Sequence, residues 1–369
     1  MKRVFVGLSG GVDSSVTALL LKQQGYDVVG VYMKNWSQDL PGMHCSWLED
    51  YQDAKRVAVQ LGIDFKMYDF QKDYKHKVVN YMLDEFKAGR TPNPDIICNQ
   101  EIKFKLFLNT ALEDGADYVA TGHYARLVRD LISHKGRRSG VDVRDQIFHM
   151  LMAKDANKDQ TYFLYRISLE ALGKTLWPLG ELTKPQVREV ARKNKLVTAD
   201  KKDSMGICFV GKVSIKDFLM EYVQSQPGAI IEQNGKTIGQ HGGAIFYTIG
   251  QRHGLELGGG LPYYVTGKNM KKNEVYVTTD LQDENLWNRV IRLTDMHWIN
   301  KPKAESQKPQ ADLAVRIRHR AKLIPVKKLK LINNNSARAE LGDDVRALTP
   351  GQSAVFYAGE LVLGGGIVF

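Results

Sequence analysis

Residues 7–15 read GLSGGVDSS, a run of small and hydroxylated side chains set between an apolar stretch and a helical one. In such a turn the backbone N–H groups, backed by the start of the helix, cradle phosphate oxygens. Gly10 and Gly11 let the backbone come close, and Ser9, Ser14 and Ser15 add hydroxyl donors. Asp13 places one carboxylate among them. The run has no lysine, so it is not the G-x-x-x-x-G-K-[ST] loop, and it lacks the G-x-G-x-x-G dinucleotide pattern. Without ligand chemistry it reads as a plain strand–helix turn.

SGGVDS resembles the signature of the ATP-pyrophosphatase, or PP-loop, enzymes. The resemblance implies cleavage of ATP between its α and β phosphates. AMP passes to a substrate oxygen and pyrophosphate leaves, which turns a carbonyl oxygen into a good leaving group. On this reading Asp13 helps to hold Mg²⁺ on the phosphates.

Thiols are the second chemical resource. Cys45, Cys98 and Cys208 are 53 and 110 residues apart, spacings that match no zinc motif. Cys98 lies in GRTPNPDIICNQEIKF (89–104), where two prolines and two asparagines predict a rigid loop at 90–95. A helix is expected to begin near Asn99 or Gln100, and a thiol beside a helix N-terminus is favoured as thiolate. Cys208, in DSMGICFVG, reads alone equally well as a buried structural thiol. Cys45 reads as structural or merely close to the site. Two thiols with an adenylating loop suggest sulfur transfer. One cysteine carries a terminal persulfide sulfur, and the other attacks or resolves it, leaving a disulfide.

These groups need elements to hold them. RVFVGL (3–8), DVVGVYM (27–33), FKMYDF (65–70) and ADYVATG (116–122) read as strands. Between them, DSSVTALLLKQQ, residues 46–62 and residues 100–114 read as helices. Strand and helix alternating in this way predict a parallel sheet covered on both faces. Ligands on such sheets bind at the C-terminal ends of the strands, which places 7–14, Met33 and Gly122 along one crevice. Residues 127–146 are polar and basic and read as a hairpin loop or mobile segment. TKPQVREVARKNKL (183–196) is a helix with Thr183 as N-cap and Pro185 in its first turn. From about 287 onward short strands alternate with turns, as in a small β-barrel. The expected fold is α/β: a Rossmann-like PP-loop domain over 1–200, a small central α+β domain over 201–285 carrying Cys208, and a C-terminal β-barrel over 286–369.

The chain has 369 residues, 43% hydrophobic and 25% charged, which excludes disorder, collagen and coiled coil as the main description. No apolar run is long enough to span a membrane, and no signal peptide is evident, so a cytoplasmic, reducing setting is expected. Residues 1–120 hold 14 Lys and Arg against 16 Asp and Glu, whereas 121–369 hold 38 against 25. The positive excess therefore lies beyond the first third, where it attracts polyanions. Residues 313–339 carry eight Lys and Arg and no acid. Were RIRHR a strand, Arg316, Arg318 and Arg320 would share one face as a phosphate ladder. The bland alternative is charge protection of a sheet edge.

Five segments together resemble the bacterial tRNA-uridine 2-sulfurtransferases: GLSGGVDSS, PNPDIICNQEIKF (92–104), ATGHYAR (120–126), KDQTYFL (158–164) and DSMGICFVG (203–211). YTIGQRHGL (247–255), RIRHR (316–320) and PGQSAVFY (350–357) extend the likeness to the end of the chain. The resemblance implies replacement of O2 of the wobble uridine by sulfur in the tRNAs for Lys, Glu and Gln. Gly7, Leu8, Ser9, Gly10, Gly11, Val12, Asp13, Ser14, Met33 and Gly122 would bind ATP. Asn93, Pro94 and Asp95 would contact the target base, flipped out of its stack. Cys208 would hold the persulfide, Cys98 would be the nucleophile, and Asp95 a nearby acid/base. His123, Lys158, Asp159, Gln160, Arg318, His319 and Gln352 would touch the tRNA. His319 departs from the family, where a tyrosine is usual. A cysteine desulfurase or a sulfur-relay protein would supply sulfur.

Three other readings predict different behaviour. An amidating or ligating PP-loop enzyme would need neither two cysteines nor a basic C-terminal portion. A basic RNA-binding protein with a degenerate nucleotide fold would release no pyrophosphate. In a variant of the thiolation reading, Cys98, Cys208 and a third ligand hold an iron–sulfur cluster.

Overall fold

A computed structural model describes residues 1–39, 45–135, 142–203, 214–258, 260–301 and 312–369. The chain opens with β1 (Arg3–Gly7), α1 (Val12–Gln23), β2 (Asp27–Lys34), α2 (Trp47–Leu61) and β3 (Asp64–Asp69). Two helical runs, 71–87 and 94–113, lead to β4 (Tyr118–Ala120). These strands and the short β7 (Thr175–Leu176) form one parallel sheet in the order β3-β2-β1-β4-β7. Val4, Phe5 and Val6 of β1 are all fully buried. Such a strand is covered on both faces and is apolar without alternation.

Each face has its own core. One side packs α1, α2 and the helix Lys184–Lys193, with Val16, Ala54, Val57, Ala58 and Val187 against Val4 and Val6. The other packs 71–87 and 94–113, with Tyr74, Val78, Met82, Phe86, Ile102 and Phe107 against Phe5 and Val29. Strand order reverses at β1, since β2 lies on one side of it and β4 on the other. The loops after β1 and β4 therefore meet at the C-terminal ends of the strands, where sheets of this kind bind ligands.

Two elements differ from the sequence expectation. Residues 71–87, for which the sequence reading names no element, are helical, and Tyr74, Val78, Met82 and Phe86 recur there at helical spacing and are buried. The helix expected from Asn99 begins at Pro94, with Asn93 as its N-cap. The N-cap of Lys184–Lys193 is Thr183, whose N–H donates to Gln186 Oε1 at 2.8 Å.

The polar segment after 125 is an antiparallel hairpin of β5 (Arg126–Lys135) and β6 (Asp142–Leu151). It reaches beyond its own domain, because Leu151 pairs with Leu361 of the C-terminal sheet. The middle of the chain forms a four-stranded sheet of β8 (Gly228–Glu232), β9 (Thr237–His241), β10 (Tyr264–Asn269) and β11 (Glu274–Thr278), in the order β10-β11-β8-β9. The C-terminal part contains β12 (Trp287–Trp298), β13 (Leu313–Arg316), β14 (Ile324–Asn333), β15 (Ser336–Arg346), β16 (Ser353–Ala358) and β17 (Leu361–Val368). These six run β12-β15-β14-β13-β16-β17, and pairing of β12 with β17 closes the barrel. Its interior holds Ile291, Val315, Ala339, Leu341 and Phe356. A closed barrel has no free edge strand of its own, yet β6 still joins β17 at one point.

Candidate active site

The loop after β1 is tightly held. Leu8 N–H donates to Val31 O at 2.8 Å, and Ser9 N–H to Ser14 Oγ at 3.2 Å. Ser14 and Ser15 hydroxyls both donate to Gly11 O, at 3.1 and 2.8 Å. Gly10 has φ +74°, and a Cβ there would lie 2.4 Å from the Asp50 carbonyl oxygen. Only glycine meets both demands. Met33 at the end of β2 places its methyl 2.8 Å from where a Gly7 Cβ would stand. Gly122, just after β4, lies so close to α1 that a Cβ would approach Ser14 N to 2.7 Å. Gly7, Met33, Gly122 and the 8–14 turn thus lie together at the C-terminal ends of the strands.

Asp13 is the charged centre of this loop. Lys184 Nζ donates to its two carboxylate oxygens at 2.7 and 2.8 Å, and Tyr124 OH donates to Oδ1 at 2.7 Å. Burial first, then Asp13, pushes the Tyr124 phenol well above its ordinary range, so it stays a donor. Lys184 also pairs with Asp203 at 2.9 Å, which Lys158 and Arg188 hold at 2.6 and 2.8 Å. Burial raises the Asp203 carboxyl, but hydrogen bonds from Lys158 and Lys184 outweigh it and bring the group down to about 2.

Sequence reading missed Lys184, Tyr124, Arg188 and Asp203. One signal was available: Lys184 is the first residue of a helix, where the dipole disfavours a cation. A lysine there needs a compensating anion, and Asp13 and Asp203 supply it.

Cys98 is fully buried in the core that covers the second face of the sheet. Helix 94–97 continues without a break into wide, π-type turns over Cys98–Leu106. Such turns often mark functional positions. Cys98 therefore sits one turn inside the helix, and the first-turn dipole argument for its thiolate is corrected, since that effect fades beyond the first turn. Asp95 and Cys98, three residues apart on the run, share a face. The neighbouring Asn99 anchors the run, its Nδ2 donating to Phe163 O at 3.0 Å. Cys208 lies outside the described residues, five positions after Asp203. Cys45 is half-buried, and burial pushes its thiol upward in pKa.

The expected tRNA contacts fall into different places. His123 is buried, with Nδ1 2.7 Å from Thr121 Oγ1 and its ring against Phe104. Burial holds it neutral, with a pKa well below the usual histidine value. Asp159 is closed to solvent and accepts from Arg316 at 2.8 Å and from Thr161 Oγ1 at 2.9 Å. Gln160 Oε1 accepts from Tyr124 N–H at 3.0 Å. Lys158 is partly exposed in its pair with Asp203. Arg318 is exposed and donates to Ala347 O at 2.5 Å. The His319 ring packs at a tilt against Phe163, with centroids 4.5 Å apart. Gln352 Nε2 donates to Thr91 O at 2.8 Å and Pro92 O at 3.4 Å. The phosphate ladder is corrected: β13 ends at Arg316, which is buried against Asp159, so the three arginines share no strand face.

Among the described residues no three His, Cys, Asp or Glu side chains cluster as a metal site. Mg²⁺ commonly binds through one or two carboxylates plus substrate phosphates. Asp13 in a phosphate-cradling turn fits that mode.

With this geometry in place, the chain was compared with known proteins. Residues 2–212 match the family described as tRNA methyl transferase HUP domain, 216–279 its PRC-barrel domain, and 288–368 the aminomethyltransferase beta-barrel domain. The tRNA-specific 2-thiouridylase MnmA of Bacillus cereus (strain ATCC 10987 / NRS 248) is 47% identical over 99% of this chain and 94% of its own. That of Bacillus thuringiensis (strain Al Hakam) is 46% identical over the same shares.

The chain belongs to the tRNA-specific 2-thiouridylases.

It is thus a sulfurtransferase that modifies tRNA. Among solved structures, NMN synthetase from Francisella tularensis matches 55% of this thiouridylase and 66% of that chain, at 18% identity and a TM-score of 0.32, too weak a likeness to bear on function. Among the described residues, no helix is long and apolar enough to cross a membrane.

Proposed function

We propose that this thiouridylase uses ATP to adenylate O2 of the wobble uridine in the tRNAs for Lys, Glu and Gln, and then replaces that oxygen with sulfur. The observation that carries the reading is the position of Asp13. It stands at the start of α1, within the turn 8–14 and paired with Lys184, where the strand order of the sheet reverses. Triphosphate oxygens would lie on the N–H groups of the turn, and Asp13 would take Mg²⁺ carried by them. Magnesium would screen the phosphate charge as O2 attacks the α-phosphorus and pyrophosphate leaves.

Asn93, Pro94 and Asp95 would meet the flipped uridine at the head of the helix that carries Cys98. A persulfide on Cys208 would supply the sulfur, and AMP would leave from C2. Cys98 would attack the sulfur of Cys208, so that a disulfide remains and the transferred atom stays on the base. Asp95 would move a proton nearby. The family description speaks of methyl transfer and the relatives of thiolation; a cysteine one turn into this helix and another five residues after Asp203 favour sulfur. A thiol reductant would first reopen the disulfide to two thiols, and a cysteine desulfurase or relay protein would then recharge Cys208 with persulfide sulfur in the cytoplasm.

Cys98→Ala and Cys208→Ala test the reading. Each is expected to abolish 2-thiouridine while tRNA still binds. Full thiolation by either variant would overturn the roles given to the thiols. Iron content and visible absorbance after anaerobic purification separate this reading from the cluster variant.

A further inference from the structure

Thr91 and Pro92 precede the Asn93-Pro94-Asp95 cap, and their hydrogen bonds come from elsewhere in the chain. Thr91 N–H donates to Pro350 O at 2.8 Å. Gln352 Nε2 donates to Thr91 O at 2.8 Å and Pro92 O at 3.4 Å. Thr91 Oγ1 and Thr248 Oγ1 are 3.1 Å apart. Among the described residues, all four of these polar groups are satisfied by the barrel or the central domain. The barrel side is itself fixed: Val368 N–H donates to Gln352 O at 2.8 Å, and Gly351 turns with φ +92°, its Cβ position 2.8 Å from Thr91 N. Upstream, Arg90 is clamped on Glu85 by two bonds of 2.6 and 2.5 Å.

We infer that Gln352 is a positioning residue: it holds the 91–95 loop from the barrel, and so fixes where Asp95 and Cys98 stand relative to the target base. This rests on the proposed roles of Asn93, Asp95 and Cys98. The geometry accounts for the placement of Gln352 without assigning its amide to RNA, because both carbonyls it reaches belong to this loop. Two further contacts, from Pro350 and Thr248, converge on Thr91.

The test uses the full chain with Gln352→Met, which keeps the shape and removes the donor, and Thr248→Val, which acts from the central domain. Hydrogen–deuterium exchange over 89–98 is read first, because it needs no activity. Both variants are expected to exchange there about tenfold faster, with the rest of the sheet unchanged. Single-turnover thiolation at saturating tRNA should fall about tenfold while tRNA Kd stays within about twofold, since small misplacement costs rate rather than binding. Gln352→Asn, whose amide is one methylene short, should recover part of the exchange protection. A tenfold weaker Kd with an unchanged single-turnover rate would overturn the proposal and make Gln352 a direct tRNA contact. Unchanged exchange over 89–98 would overturn it as well. Absence of thiolation in the wild-type chain would instead strike the proposed function, and the exchange result would still decide the role of Gln352.

Discussion

Lys184 Nζ stands 2.7 Å from Asp13 Oδ1 and, on its other side, 2.9 Å from Asp203 Oδ1. One ammonium thus joins the nucleotide loop to the residue that leads into the Cys208 segment. Its side chain is only 11% exposed, so the pairs are weakly screened. Lys184→Met would leave the Asp13 and Asp203 carboxylates without their shared cation. Pyrophosphate release with saturating ATP is expected to fall about 100-fold, on the scale of losing one preorganised electrostatic contact. tRNA affinity should hold, because Lys184 is turned inward. A fall in tRNA affinity with normal pyrophosphate release would contradict this placement.

Asp203 gives the fold an acid limit. Its pKa is held near 2 against an ordinary 3.8. A depressed carboxyl contributes stability that is complete above its unfolded value and lost as pH falls through the folded one. Thermal stability should therefore drop between about pH 4 and pH 2. Asp203→Asn should flatten that part of the profile. An identical acid profile in the variant would remove Asp203 from the account.

His319 and Arg318 are neighbours with different expected roles in RNA binding. Burial first, then Arg320, lowers His319 to about 4, so its ring is neutral at pH 7. Among the described residues, its Nδ1 is buried without a hydrogen-bond partner. Arg318 is exposed and charged. Arg318→Ala should reduce the slope of log K against log salt by about one, and His319→Ala should weaken binding with the slope unchanged. Equal slope changes would mean that His319 carries charge in the complex. In stability, a histidine with lowered pKa costs the folded state as pH falls from about 6.5 to 4, and His319→Phe should remove that cost.

Buried Asp159 and Arg316 behave as one unit. Asp159→Ala would leave the Arg316 guanidinium uncompensated beneath Tyr357. The expected loss is about 3–5 kcal/mol of unfolding free energy, read by denaturant titration. A loss below about 1 kcal/mol would show that Arg316 finds water instead.

Apart from the helical run 71–87, the order of strands and helices in the first domain was legible because apolar runs and capped helices alternate there. The parallel sheet, the glycine turn and the closed barrel follow from local pattern. The salt-bridge centre did not, because Asp13, Lys184 and Asp203 are far apart in sequence and only the fold brings them together. The start of the Cys98 helix was misplaced because Pro94 reads as a loop residue, although proline suits a first helical position. Asp159 and His123 carry polar labels that suggest a surface, yet tertiary partners bury both. Arg316, Arg318 and Arg320 looked like a strand face because the end of β13 leaves no mark in residue type.

The most direct measurement incubates the purified chain with ATP, Mg²⁺, a cysteine desulfurase with cysteine as the persulfide source, a thiol reductant to reopen the disulfide, and unmodified tRNA-Lys transcript. 2-Thiouridine is read by nucleoside mass spectrometry beside pyrophosphate and AMP. The account predicts one pyrophosphate and one AMP for each 2-thiouridine, and neither product from Asp13→Asn. Thiouridine formed without pyrophosphate, or at full rate in the Cys98→Ala variant, would contradict it.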